Sequence, residues 1–341
     1  LRYGSSITNW DIAWNTVVSF QSIEESRIKR RFGSEWRETQ RENVDVWNAY
    51  TTFSKGFYND FNVTAGINIG WDAVTSEASL LNIETEEMKR ADTRYPNGGS
   101  SMGTMALFTN VQKRWRQHRF VGGLRWSQSA LDADFEPAEN YTLPFATVNM
   151  QNSALTGGLS DCWMSPSGVW SLNSGFSTGF RHPNVDDMGK VREKGGYVLI
   201  PNDALQPEYL LSLEQSIHWD WRALRLLSVT ISGFGSHLND AIVPQLAMLN
   251  GDSMFFIDGD SARVQTHVNA SHARIAGLRA EVNAQLTKKW GIEASVNWTV
   301  GDQFIPNQAT GKMERLPMSH IPPFFGRVAV SYTHLRAHET E

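Results

Sequence analysis

The stretch FNVTAGINIGWD, Phe61 to Asp72, decides the fold. Phe61, Val63, Ala65, Ile67, Ile69 and Trp71 fall at every second place, with Asn62, Thr64, Gly66, Asn68, Gly70 and Asp72 between them. Successive side chains of a strand point to opposite faces, so this is a strand with one apolar and one polar face. The pattern recurs. Leu227, Val229 and Ile231 oppose Ser228, Thr230 and Ser232, and Ala276 to Leu286 alternates with Gly277, Arg279, Glu281, Asn283 and Gln285. Trp290, Ile292, Ala294, Val296, Trp298 and Val300 do the same. A soluble sandwich also alternates, but its strands are usually ~5–6 residues, and these runs are about twice that.

The connections sort into two kinds. Short ones fall near 55–60, 112–118, 164–168, 219–223 and 287–289, and long ones near 26–37, 73–101, 130–145, 182–206, 236–262 and 301–320. Short and long alternate along the chain. That predicts an all-β fold, an antiparallel up-and-down transmembrane β-barrel with tight turns on one side and long loops on the other, and about thirteen strands. No apolar run reaches the ~18 residues of a membrane helix, but a transmembrane strand needs only ~9–11.

The thirteen tryptophans fit this reading. Trp115, Trp170, Trp219, Trp221 and Trp290 lie beside short turns, while Trp71, Trp126 and Trp298 lie at the other strand ends. From Trp290 to Trp298 is eight residues, or roughly 26 Å of strand. Tilted by about 40°, that is close to the ~25 Å apolar band between two aromatic girdles. Tryptophans filling a soluble core would cluster mid-strand instead.

Composition excludes several functions. The net charge of −5 gives no nucleic-acid signature. Cys162 is the single cysteine, so no internal disulfide exists. No dinucleotide, phosphate-loop or zinc fingerprint occurs, so no cofactor and no metal site are expected. His267 and His272, five apart, read as opposite faces of one strand. Asp186 and Asp187 are adjacent in a loop, without the separation across a substrate that a glycosidase needs. No catalytic residue is expected. The basic run 27–37 reads as a solvated loop or as a contact for anionic lipopolysaccharide or ligand at the outer rim, and the barrel as a whole has outer-membrane lipid as its partner.

One stretch is more specific. FSTGFRHPNVDD, Phe176 to Asp187, starts as a strand and breaks at Arg181-His182-Pro183-Asn184. Pro183 lacks an N–H donor and stops the ladder, Asn184 and the acids favour a turn or helix cap, and Pro207-Glu208 restarts a strand. Gly179, Phe180, Arg181, Pro183, Asn184, Asp186 and Asp187, followed by Asn202, Leu205, Pro207 and Glu208, resemble paired boxes of the TonB-dependent outer-membrane receptors. The family has Ala where this chain has His182. Thr93 to Gly99 and Glu25-Ser26-Arg27 resemble a haemoglobin- or transferrin-type subgroup.

The resemblance implies ligand-gated import of a ferric siderophore, haem or similar scarce nutrient across a Gram-negative outer membrane. It also implies a full barrel of about 22 strands, an N-terminal plug that meets the TonB complex, and no chemistry on the substrate. On this reading 1–330 is an incomplete barrel with the plug outside the chain. Residues 331–341 resemble a translated sequencing adapter, which removes His334 and His338 from consideration. The boxes either stop one strand and start the next, or hold ligand through Arg181, His182, Tyr197 and His237. The rivals are a passive porin- or adhesin-type barrel and a soluble secreted all-β binding protein.

Overall fold

The computed structural model describes residues 2–7, 11–137, 143, 145–188, 192–221, 226–257, 260–270, 272–307, 310 and 312–333. His334 and His338 lie outside them. In chain order the strands are β1 (Arg2–Ile7), β2 (Ile12–Lys29), β3 (Trp36–Phe57), β4 (Phe61–Asn82), β5 (Met88–Arg90), β6 (Ser100–Trp115), β7 (His118–Asp134), β8 (Thr147–Met164) and β9 (Trp170–Arg181). One helical turn follows, α1 (Val185–Met188). Then come β10 (Arg192–Lys194), β11 (Tyr197–Ile200), β12 (Glu208–Trp221), β13 (Leu227–Asn239), β14 (Ile242–Leu246), β15 (Met254–Ile257) and β16 (Asp260–Asn269). The last are β17 (His272–Gln285), β18 (Trp290–Pro306), β19 (Met313–Pro317) and β20 (Phe325–Tyr332).

Among the described residues the main sheet has fifteen strands: thirteen form an antiparallel meander, β1-β2-β3-β4-β6-β7-β8-β9-β12-β13-β17-β18 with β20 on β18, and β5 on β4 and β19 on β18 extend it beyond the expected number. This is the wall. Among the described residues β1 does not pair with β19 or β20, so the sheet stays open. Among the described residues tight turns fall at the expected short connections 55–60, 112–118, 164–168 and 287–289, while 222–223 of the fifth lie outside them. Asn59 (φ 63°), Asp60 (φ 55°) and Arg116 (φ 53°) take left-handed backbone there, a region where Asn and Asp are enriched.

Outward-facing side chains on the wall are apolar and exposed, Leu155 at 69%, Leu159 at 62% and Leu278 at 54%. Register aligns Phe20 with Trp47 and Trp47 with Trp71, and Leu107 with Trp126, in rows toward the long connections. At the tight-turn end Trp170 stacks on Trp219 and Trp290 meets Tyr332. Two aromatic rows bordering an exposed apolar band are the form a wall takes in lipid. The inner face is polar, with hydroxyl pairs Ser54–Thr64 at 2.9 Å and Ser212–Ser236 at 2.9 Å and an Asn68-to-Asn48 bond at 3.0 Å. Phe234 fills the space a Cβ on Gly277 would need.

Several expected loops are largely strand. Residues 26–37 reduce to a connection over 30–35, β4 continues through 73–82, and β18 runs to Pro306. β3 and β4 are each 22 residues long, or about 70 Å, so they stand well clear of the apolar band. Beyond lipid the two faces no longer differ in polarity, as in 73–82, and apolar alternation no longer marks the strand. β20 ends at Tyr332, which aligns with Trp290.

The connections over 182–207 and 240–271 build a second sheet, β10-β11-β16-β14 with β15 on β16. β11 and β16 run parallel, unlike anything in the wall. Val198, Ile200, Leu249, Ala262 and Val264 form its core. It packs on the wall through Ala241, Val243, Ala270, Ala273 and Ile305. This cap also separates His267 from His272, which stand on β16 and β17 rather than in one strand.

Candidate functional site at the outer corner

The corner begins where β9 and β12 part. Arg181 and Glu208 are strand partners, so the two boxes meet in register. Pro183 is fully buried and ends the ladder. Asn184 caps α1. The Asp187 N–H donates to Asn184 Oδ1 at 3.0 Å, and the Asn184 N–H donates to Asp187 Oδ2 at 3.1 Å. This is a reciprocal capping box in which each side chain satisfies the other's orphan donor. Met188 is then buried beside Leu131, Ala133, Val148 and Leu205.

Arg181 is the electrostatic centre. Its Nη1 donates to Asp187 Oδ2 at 2.6 Å and its Nε donates to Glu208. Glu208 is 8% exposed, and its other oxygen accepts the Ile242 N–H at 2.6 Å. Asn202 Nδ2 donates to His267 O at 2.7 Å, and its Oδ1 accepts the Ala204 N–H at 2.9 Å. The His267 Nδ1–H donates to the Asp187 carbonyl at 2.7 Å. Asn269 accepts from the Gln206 N–H and donates to Gln206 O, both at 2.8 Å. The box residues thus bind cap to wall.

The Thr93–Gly99 stretch joins from the far side. Gly98 donates its N–H to Asp134 O at 3.0 Å, and a Cβ there would lie 2.8 Å from that oxygen. Gly99 has φ +93°, a conformation that suits glycine. So anchored, Tyr95 donates its hydroxyl to Asp186 Oδ1 at 2.6 Å. Burial first, then that bond, pushes the Tyr95 phenol well above its usual range.

His182 is half-buried with its ring edge on Phe180 at 5.5 Å. Its Nδ1 is buried and has no hydrogen-bond partner among the described residues. Burial, then the Arg181 charge, holds its pKa below the ordinary value, so the ring is neutral at pH 7.

The four residues expected to hold ligand occupy three places. Arg181 and His182 share the corner. Tyr197 is on the cap, in register with Arg263 of β16. His237 is on the wall, its Nε2 3.1 Å from Asn239 Oδ1 and its ring 5.4 Å from His272. The Tyr95–Asp186, Asn202–His267 and Gln206–Asn269 contacts span separations of 91, 65 and 63 residues, and no local spacing announces them. Among the described residues no group of three or more His, Cys, Asp or Glu could hold a metal ion.

Comparison with known proteins places these features. Residues 1–338 match the family model described as TonB dependent receptor-like, beta-barrel. No curated protein matches the chain by sequence. Among solved structures the chain is similar to the copper transporter OprC, with TM-score 0.77, 15% identity, and coverage of 98% of this chain and 49% of that one. It is similar to the Serratia marcescens hemophore receptor HasR, solved with its hemophore HasA and heme, at TM-score 0.66 and 14% identity over 98% and 58% of the two chains. The ferric citrate transporter FecA gives TM-score 0.67 and 13% identity over 97% and 45%. The chain spans about half the length of these structures.

Proposed function

The chain belongs to the TonB-dependent receptor β-barrel family, and on that basis we propose that it forms the wall and cap of an energised outer-membrane importer. The ligand is a ferric siderophore, haem or a similar scarce nutrient, captured at the long connections. A plug outside this chain meets the polar inner face and the TonB complex, since the outer membrane stores neither gradient nor ATP. The chain does no chemistry on the substrate.

The observation that carries this reading is the folded cap, seated by the Arg181–Glu208 corner on the long-connection end of a polar-lined wall. A folded cap on the mouth favours gated entry over an open pore. Arg181 is committed to two acids, so the corner residue left to meet ligand is the half-buried His182, which would have to present its ring by Nε2, since its Nδ1 is buried. Neutral imidazole is the form that ligates haem iron.

The test is uptake by the full-length receptor in cells with and without TonB. Accumulation of haem or a ferric siderophore only when TonB is present supports the reading. Equal accumulation without TonB makes the protein a passive pore. His182→Ala is expected to lower haem uptake at unchanged receptor abundance, and unchanged uptake would leave His182 a loop residue.

A further inference from the structure

The outward face of the wall changes character beyond its outer aromatic row. Leu278 is 54% exposed and pairs in register with Trp298 of that row. Alternation puts Ala276, Arg274 and His272 of β17 on the same face. Arg274 lies four positions beyond Leu278, roughly 13 Å of strand, so it clears the apolar band. Register sets it beside His237 of β13 and Asp302 of β18, and sets His272 beside Phe304. The His272 ring stacks on Phe304 at 4.3 Å and lies 5.4 Å from the His237 ring. The Arg274 guanidinium is 5.6 Å from the centre of the same Phe304 ring. Asp302 is taken by Arg315, so the acid next to Arg274 is already neutralised. A guanidinium and two imidazoles thus gather on the lipid side, at the depth of head groups.

No other part of the protein reaches this face. The cap packs on the opposite side of the same strands, through Ala273 and Ile305. Each of β13, β17 and β18 already has a wall strand on both sides, and strands that close a sheet add at its edges. A second feature lies directly below the cations. From His237 down β13 the next outward positions are Gly235 and Gly233. A Cβ on Gly235 would meet nothing within 4 Å. Register sets Gly235 between Leu213 and Ala276, and Leu213 is 63% exposed. A shallow apolar slot therefore runs from the cations into the band.

We infer that this face holds a phosphorylated lipid of the outer leaflet, a lipopolysaccharide. Arg274 takes its phosphate through the planar fork, the His237 and His272 rings add N–H donors, and one acyl chain lies in the slot over Gly235. Cations alone would hold any anion, and a glycine slot alone holds nothing. Together they select an amphiphile with an anionic head. On this reading His237 serves lipid and not an imported ligand. The inference rests on the wall facing lipid, not on import, so its failure leaves the import reading standing.

The probe is deep-rough lipopolysaccharide, added to the delipidated full-length receptor in detergent and read by native mass spectrometry. Arg274→Glu is expected to weaken binding at least tenfold, and His237→Ala, His272→Ala and Gly235→Leu severalfold each. Arg279→Glu makes the same charge change on the lumen face and should leave binding unchanged. An unaltered heat-modifiable gel shift reports that each variant is folded. Enzymatically dephosphorylated lipopolysaccharide should bind the parent receptor at least tenfold more weakly, a comparison that needs no variant. Equal affinity for the two lipids, unchanged affinity in Arg274→Glu, or equal weakening by Arg279→Glu overturns the inference. Full displacement by millimolar inorganic phosphate, or indifference to Gly235→Leu, would make this a site for a free anion and overturns it too.

Discussion

Leu159 on the wall is 62% exposed and Leu246 on the cap is 51% exposed, yet the two exposures have different causes. Leu159 stands four residues from Trp163 and four from Leu155, the partner of Trp126, midway across an apolar band between aromatic rows. Leu246 stands on a small sheet whose other face is already a closed core. The wall is held by long antiparallel ladders and turns its apolar face to lipid. The cap is held by a few buried side chains and a network of charged and amide groups, and it meets water. Exposure becomes informative only once the solvent on that side is known.

The comparison breaks most visibly under charge. Leu159→Arg in the full-length receptor should cost about 2–4 kcal/mol, as expected for arginine at a bilayer midplane. Leu246→Arg should stay within about 0.5 kcal/mol, as surface changes usually do. Urea unfolding of each variant in lipid vesicles measures both. Equal costs would remove the distinction between the faces.

The hinge between the two regions is next. Arg181→Ala leaves the buried Glu208 without its cation and Asp187 with one partner fewer. Because Arg181 is itself about half exposed, the expected cost is about 1–3 kcal/mol. It should appear as protease sensitivity within 182–207 while the wall keeps its heat-modifiable shift. Loss of the whole barrel instead would show that cap and wall are one cooperative unit. A smaller effect is expected from Asn184→Ala, which removes the α1 cap at about 1 kcal/mol, read by the same proteolysis.

The smallest effect is one of pH. The folded protein holds the His182 pKa below the ordinary 6.5, so the fold favours the neutral ring. That contribution is complete above the unfolded-state value and is lost as pH falls through the folded one. Cap proteolysis should therefore rise as pH drops below about 6.5, and His182→Gln should flatten the rise. A rise that survives in His182→Gln would assign it to another group.

The wall was legible in the sequence because period two is imposed by lipid on one side and polar lumen on the other. Phe61 to Asp72 carries it in full, and the positions of the tight turns follow. Outside the lipid band that constraint ends, so 73–82 alternates without apolar contrast and its strand went unseen. The cap was illegible for a different reason. β11 pairs in parallel with β16 some sixty residues away, and strands of three to five residues such as β10, β11 and β14 are too short to show a period. The boxes around Arg181 and Glu208 could be recognised, but only register and the Asn202–His267 and Tyr95–Asp186 bonds disclose what they hold together.

Cysteine accessibility tests the two-region account most directly. In a full-length receptor carrying Cys162→Ser, single substitutions Leu159→Cys and Leu246→Cys are treated with a membrane-impermeant maleimide on intact cells. The account predicts rapid labelling at 246 and none at 159 until the membrane is dissolved in denaturant. Labelling at 159 on intact cells, or protection at 246, would contradict it.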